Sequence, residues 1–277
     1  MTSPDPIPAA ISPAIPPAPR HLGAVNWLGL YTLTAKEIRR FLKVYFQTIV
    51  APVVTTLLFL AVFVLALGRA ALDVDGVPFA EFLAPGLIMM AMAQNAFANT
   101  SSSLIIAKVQ GNIVDVLMPP LSPLEQTLGF ALGGIARGLA VGVVVLAVMA
   151  LFVPMHIASP LLILYHGVMA SLLLSLLGMI GGIWADKFDH MAAVTNFIVT
   201  PLSFLSGTFY SIEHLPANLR ILALSNPFFY MIDGFRCGFT GHADGSLVVG
   251  ALVLAAANLL LAFTAYRMFK TGYKLKA

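Results

Sequence analysis

Apolar positions in this chain come in long, nearly unbroken runs separated by short polar joints. A helix needs roughly 20 apolar residues to cross a hydrocarbon core of about 30 Å. Helices are the default crossing element, because unpaired backbone groups are expensive in lipid. Six runs approach that length: about residues 47–67, 82–103, 127–152, 161–184, 191–209 and 247–268. The first ends where Gly68 and Arg69 open a loop containing Asp73, Asp75 and Pro78. The second turns polar in its later half, which suits a helix facing protein or a cavity. Pro154, His156 and Pro160 separate the third run from the fourth. The pattern predicts an all-α membrane protein with six transmembrane helices.

Composition agrees. Of the 277 residues, 59% are hydrophobic and 10% charged, whereas soluble domains carry about 25% charged residues. So little charge cannot clothe a water-facing surface. The single cysteine, Cys237, excludes an internal disulfide and a cysteine-based metal site; it reads as a small apolar filler near a helix end. Residues 1–22 are rich in proline and alanine and lack the charged start and apolar run of a secretory signal. They are predicted to form a disordered cytoplasmic tail, leaving 23–277 as one transmembrane domain.

Charge placement sets the expected orientation. Counted through six spans, Arg20, Lys36, Arg39, Arg40, Lys43, Lys108, Lys187, Arg267, Lys270, Lys274 and Lys276 fall on one side. Only Arg69, Arg220 and Arg236 fall on the other. The positive-inside rule then places both termini in the cytoplasm.

Four segments carry candidate chemistry. Residues 27–46 interleave apolar groups with Lys36, Arg39, Arg40 and Lys43; Leu30, Leu33, Glu37, Arg40 and Val44 lie near one face of the helical wheel. An amphipathic helix at the membrane surface fits, either as a plain anchor or as a brace for a partner. Residues 104–126 alternate apolar and polar groups and stop at Pro119 and Pro120, predicting a short helix over 104–116 that packs on the bundle or docks a partner.

Arg137 follows Thr127 by ten residues, placing it roughly 15 Å deep. An unpaired arginine there costs from about 2.5 to well above 10 kcal/mol. Gln94 and Asn95, at comparable depth, are its natural partners; the cluster is either a clamp between helices or the lining of a translocation path. Gly133, Gly134 and Gly138 favour a closely packed seam. Every Asp and Glu falls near a span end or in a loop, so Arg137 is expected to be the only buried charge. Residues 200–241 are too polar for a span and too apolar for an ordinary loop. Two short helices, about 216–224 and 227–238, are predicted to dip into the outer leaflet or roof the bundle. Asn226 caps the second and Pro227 opens it.

No phosphate-binding loop, metalloprotease pair, nucleophile elbow or dinucleotide fingerprint occurs. Asp186, Asp189 and His190 read as a solvated loop rather than a metal site, and nothing points to nucleic acid. An ion-driven secondary transporter would want an acidic residue at mid-membrane, which this reading does not find. A non-transporting assembly or anchoring protein is a further alternative.

Taken in order and spacing, several segments resemble the permease subunits of bacterial ABC-2 type exporters. They are the basic amphipathic segment, EFLAPGLIMMAMAQNAF at 81–97, KVQGNIVDVLMPPLSPLEQ at 108–126 and LSNPFFYMIDGFR at 224–236. The resemblance implies a multi-pass protein of the bacterial inner membrane that pairs with a second copy of itself and binds two copies of a separate ATPase. The cargo would be an amphiphilic, glycan or drug-like molecule moved outward. ATP and magnesium would sit on the ATPase, and this chain would hold no cofactor and hydrolyse nothing. It further implies an ATPase-coupling interface at Lys36, Arg39, Arg40, Lys108, Val109, Asn112 and Val116. An outer re-entrant region would hold Glu213, His214, Asn226, Pro227, Asp233 and Arg236.

Overall fold

A computed structural model describes residues 23–67, 73–74, 76–212 and 215–275; the expected disordered tail at 1–22 lies outside them. The chain opens with α1 (Trp27–Lys43), then a π-helical turn (Phe46–Val50) runs into α2 (Ala51–Leu67). A two-residue antiparallel pair, β1 (Asp73–Val74) with β2 (Val77–Pro78), leads into α3 (Phe79–Val109). Next come α4 (Ile113–Leu117), α5 (Pro123–Met149), α6 (Pro160–Trp184) and α7 (Phe188–Val194). A second π turn (Thr195–Val199) joins α7 to α8 (Thr200–Phe204), followed by α9 (Ala217–Leu224), α10 (Pro227–Thr240) and α11 (Leu247–Thr271).

Among the described residues four helices, not six, are long and apolar enough to cross a membrane: Phe46–Ala66, Pro123–Met149, Pro160–Trp184 and Leu247–Thr271. The expected span at 82–103 falls inside α3, whose Gln94, Asn95, Asn99, Thr100 and Ser101–Ser103 rob it of a lipid-compatible surface. Most of that helix is buried between α5 and α6, so it is the axis of the bundle. The expected span at 191–209 is helical only from Phe188 to Phe204, through α7, a π turn and α8, and does not reach the length of a span.

The expected re-entrant pair is also overturned. Helices do form at Ala217–Leu224 and Pro227–Thr240, but every residue of α10 from Phe228 to Phe239 is buried against α3, α6 and α11. The aromatic groups Phe228, Phe229 and Tyr230 belong to the protein core rather than to a lipid interface.

Packing around α3 depends on glycine. A Cβ at Gly138 would lie 2.6 Å from Ser171 Oγ and 3.1 Å from the Met92 carbonyl, and one at Gly142 2.5 Å from Met92. A Cβ at Gly134 would overlap Ser175, and one at Gly178 the backbone oxygen of Phe97. Small residues let helix backbones approach where lipid supplies no hydrophobic drive to associate. At this closeness polar groups reach across, and Thr100 donates to the Ser175 carbonyl at 2.7 Å. Gly178→Ala is therefore expected to cost about 1–3 kcal/mol by overpacking. Gly23→Ala, with nothing within 4 Å of the added carbon, should be neutral. Thermal unfolding of the two variants in the same detergent checks both.

Candidate coupling face and buried polar ladder

The starts of α1 and α5 are stitched together by one carboxylate. Asn26 caps α1, its Oδ1 accepting from Gly29 N at 2.9 Å. Ser122 caps α5 with a reciprocal bond to Glu125, and Pro123 fills the first turn. Glu125 also accepts the Asn26 backbone N–H at 2.6 Å, while Asn26 Nδ2 donates to the Pro120 carbonyl at 3.1 Å. The proline joint and both helix starts thus form one knot.

From that knot α1 turns Leu33, Glu37 and Phe41 inward and leaves Trp27 72% exposed. Lys36 and Arg39 are exposed, and Arg40 is half-buried. Between α1 and the α4 joint opens a groove of about 870 Å³, lined by Trp27, Leu28, Thr32, Lys36, Asp115 and Val116 among others. Gly111, at φ +75°, makes the turn from α3 to α4 that a side chain would strain.

The residues of the expected coupling interface divide here. Val109 and Asn112 are exposed, as are Val114 and Met118, the last at 76%. Val116 is buried and packs with Leu33, Leu104 and Phe130, so it forms the floor of the groove. Lys108 is committed internally: its Nζ donates to the carbonyls of Ile183 (2.7 Å) and Ala185 and lies 3.3 Å from Asp186. Lys274 joins from beyond α11, 2.7 Å from Asp186 and 3.0 Å from the Trp184 carbonyl. The two lysines neutralise the carbonyl-rich end of α6 and tie α3, α6 and α11 at one end of the bundle. The hydrogen bond from Lys274, helped by Lys108, holds the Asp186 carboxyl below the usual range. That same bond holds the Lys274 ammonium above its usual range.

A ladder of polar contacts climbs one face of α3. Ser102 and Asn99 meet Arg40, with Nη1 3.1 Å from Ser102 Oγ and Nη2 bonded to the Asn99 carbonyl. One turn further on, Asn95 Oδ1 accepts from Arg137 Nη2 at 3.0 Å. Gln94 stands apart from Arg137 and lines two furrows beside α3. One is about 440 Å³ and includes Ser101, Ser102, Phe188 and Thr195. The other is about 270 Å³ and includes Thr55, Thr56 and Phe59.

The expectation that Arg137 would be the only buried charge is overturned on both counts: Arg137 is half-buried, whereas Glu37 at 0% exposure, Glu125, Asp233 and Arg236 are buried. The sequence signal for Glu37 was a carboxylate on the inward stripe of an amphipathic helix, three residues before an arginine.

At the opposite end Asn226 caps α10 and donates to the Leu202 carbonyl at 2.9 Å, with Pro227 in the first turn. Asp233 accepts the backbone N–H groups of Asp244 (2.8 Å) and Gly245 (3.0 Å). Arg236 donates to the Gly207 carbonyl and stacks 3.8 Å above the Phe82 ring. Burial pushes the Asp233 carboxyl up and draws the Arg236 guanidinium down to about 10. These groups fasten loops to the core. Glu213 and His214 lie outside the described residues. No group of three metal-ligating side chains occurs among the described residues.

The family model for ABC-2 type transporters matches residues 29–240, from α1 through α10. The chain belongs to the ABC-2 type transporter family. It is a membrane permease subunit, the non-catalytic transmembrane part of such a transporter, and the family architecture implies a partner ATPase. The permease is 38% identical over 251 residues to the inner membrane transport permease YadH of Escherichia coli, covering 91% of this chain and 98% of that one. It is 24% identical over 235 residues to nodulation protein J of Rhizobium leguminosarum bv. viciae, covering 84% and 90%.

Two outcomes are expected of the permease. Asn95→Leu removes the acceptor of a charged donor and should cost about 1.5–3 kcal/mol; Gln94→Leu should cost less, by thermal unfolding in detergent. The Asp186 clamp has a defined pH window. Its lowered carboxyl stabilises the fold above the usual carboxylate range and loses that contribution as pH falls through the lowered value. The raised Lys274 contributes below the usual lysine range and loses it as pH rises through the raised value. The clamp should therefore hold from about pH 4 to about pH 10. Amide exchange at residues 184–187 should be faster in Asp186→Asn than in the parent protein throughout that window, and the two should converge below it.

Proposed function

We propose that this permease is the transmembrane half of an ATP-driven exporter in the bacterial inner membrane. It would work as a pair of identical chains with two copies of a separate ATPase. ATP and magnesium would be held by the ATPase, and the cargo would be an amphiphilic, glycan or drug-like molecule taken from the cytoplasm or inner leaflet. YadH, the relative with 38% identity, is by name an inner membrane transport permease, which supports the location.

The observation that carries the reading is the groove between α1 and α4. Trp27, Leu28, Val109, Val114 and Met118 stand exposed outside every candidate span, and this chain's own core does not cover them. Exposed Lys36, Arg39 and Lys43 flank them, and cationic loops face the cytoplasm. An apolar patch rimmed by charge is the usual form of a protein docking site. A push on α1 would pass through the knot at Asn26 and Glu125 into α5, and one on α4 would pass into the Lys108 end of α3. Arg39 and Lys36 would meet the ATPase surface, and Asn112 would meet it at the start of α4.

Affinity capture of the tagged, detergent-solubilised chain is expected to bring down an ATP-binding cassette subunit at about one copy per chain. Val109→Asp with Met118→Asp should leave the membrane level unchanged and lower permease-stimulated ATP hydrolysis by about tenfold or more. Unchanged stimulation in that variant would remove α4 from the docking surface. Repeated absence of any ATPase would remove the exporter reading.

A further inference from the structure

We infer that Glu37 is a positioning residue, the buried counter-charge that latches α1 to α3 and so links the coupling face to the polar ladder inside the bundle. The inference rests on the docking role proposed for α1. Glu37 lies on the inward stripe of α1 between Leu33 and Phe41, where a leucine would suffice for packing. Its carboxylate is enclosed: Oε1 accepts from Ser103 Oγ at 2.7 Å, and Oε2 lies 3.2 Å from Arg40 Nη2 and 3.5 Å from Asn99 Nδ2. Gly133 of α5 makes the room, since a Cβ there would sit 2.5 Å from Glu37 Cβ.

Burying a charge costs more than burying an alkyl group, so such pairs are poor sources of stability and better attested as devices that fix register. The register fixed here is that of α1 along α3. Asn95, Asn99 and Ser102 follow one another at helical spacing, so they share a face of α3. Arg40 from α1 grips Asn99 and Ser102, while Arg137 from α5 grips Asn95. The two guanidinium groups are thus like charges on one face of α3, and Glu37 supplies Arg40 with its counter-charge. Displacement of α1 by one turn would pull the carboxylate off Ser103 and leave both arginines facing each other, so α1 and α3 must move as one body.

The test uses the full chain with its captured ATPase in liposomes, and the readout is ATP hydrolysis relative to the ATPase alone. Glu37→Gln is expected to lower stimulation about tenfold with the complex still captured. Packing alone predicts that a second lesion makes matters worse. A counter-charge predicts rescue instead, so Glu37→Gln with Arg40→Gln should recover at least about threefold over Glu37→Gln alone. A second measurement needs no ATPase. In membranes, Leu33→Cys on the inward face should resist a water-soluble thiol reagent, label several times faster with Glu37→Gln, and be protected again in the double variant. Normal stimulation in Glu37→Gln, absence of rescue, or unchanged Leu33→Cys labelling would each overturn the latch. Failure of the parent protein to capture an ATPase would overturn the docking role of α1, and the labelling would still decide the latch.

Discussion

A polar helix at the centre of an apolar bundle is the constraint around which this permease is built. From Gln94 to Ser103, α3 carries amide and hydroxyl groups that lipid cannot satisfy, and each buried polar group left without a partner costs free energy comparable to a lost hydrogen bond. The helix can exist only if neighbouring helices come close enough to offer carbonyls and side chains. That proximity requires glycine, and α5 and α6 supply it at Gly133, Gly134, Gly138, Gly142, Gly178 and Gly182. The aliphatic outer faces of α2, α5, α6 and α11 then follow as the surface that meets lipid.

The two ends of the bundle are closed by different chemistry. At one end, Lys108 and Lys274 converge on Asp186 and the last carbonyls of α6, joining three helices through charge. At the other, α10 is wedged into the core and its Asp233 and Arg236 bind backbone groups of the flanking loops. The first end is open to solvent, where ion pairs exchange easily with water. The second is buried, where loss of a partner leaves a charge uncompensated. The end that carries exposed α1 and α4 is thus also the end held by the more adaptable contacts.

The chemistry expected from the chain was partly legible. Arg137 stood out because a charge in a long apolar run is rare and costly, and its depth matched Asn95 to within a turn. Glu37 did not, because a glutamate near basic residues on an amphipathic helix looks like a solvated surface pair. Only the approach of α3 and α5 to the inner face of α1 makes it a buried one. Lys108 and Val116 were legible as parts of a short connector. Their directions were not: Val116 sits on a helix of 5 residues, too few turns for periodicity to assign a face, and Lys108 is drawn inward by carbonyls at the end of α6 that are distant in the chain.

By itself the sequence determined the all-helical membrane class, the approximate positions of the four apolar spans, the cap at Asn226 and the segments that carry the family likeness. Each of these is a local property: run length, hydropathy, or one residue's effect on the turn beside it. Tertiary structure alone decided that α3 is an enclosed axis, that the helix over 188–204 stops short of a span, and that α10 is core rather than a dip into lipid. Hydropathy reports what a segment could tolerate as surroundings. Which surroundings it receives depends on the helices that pack against it, and those come from distant parts of the chain.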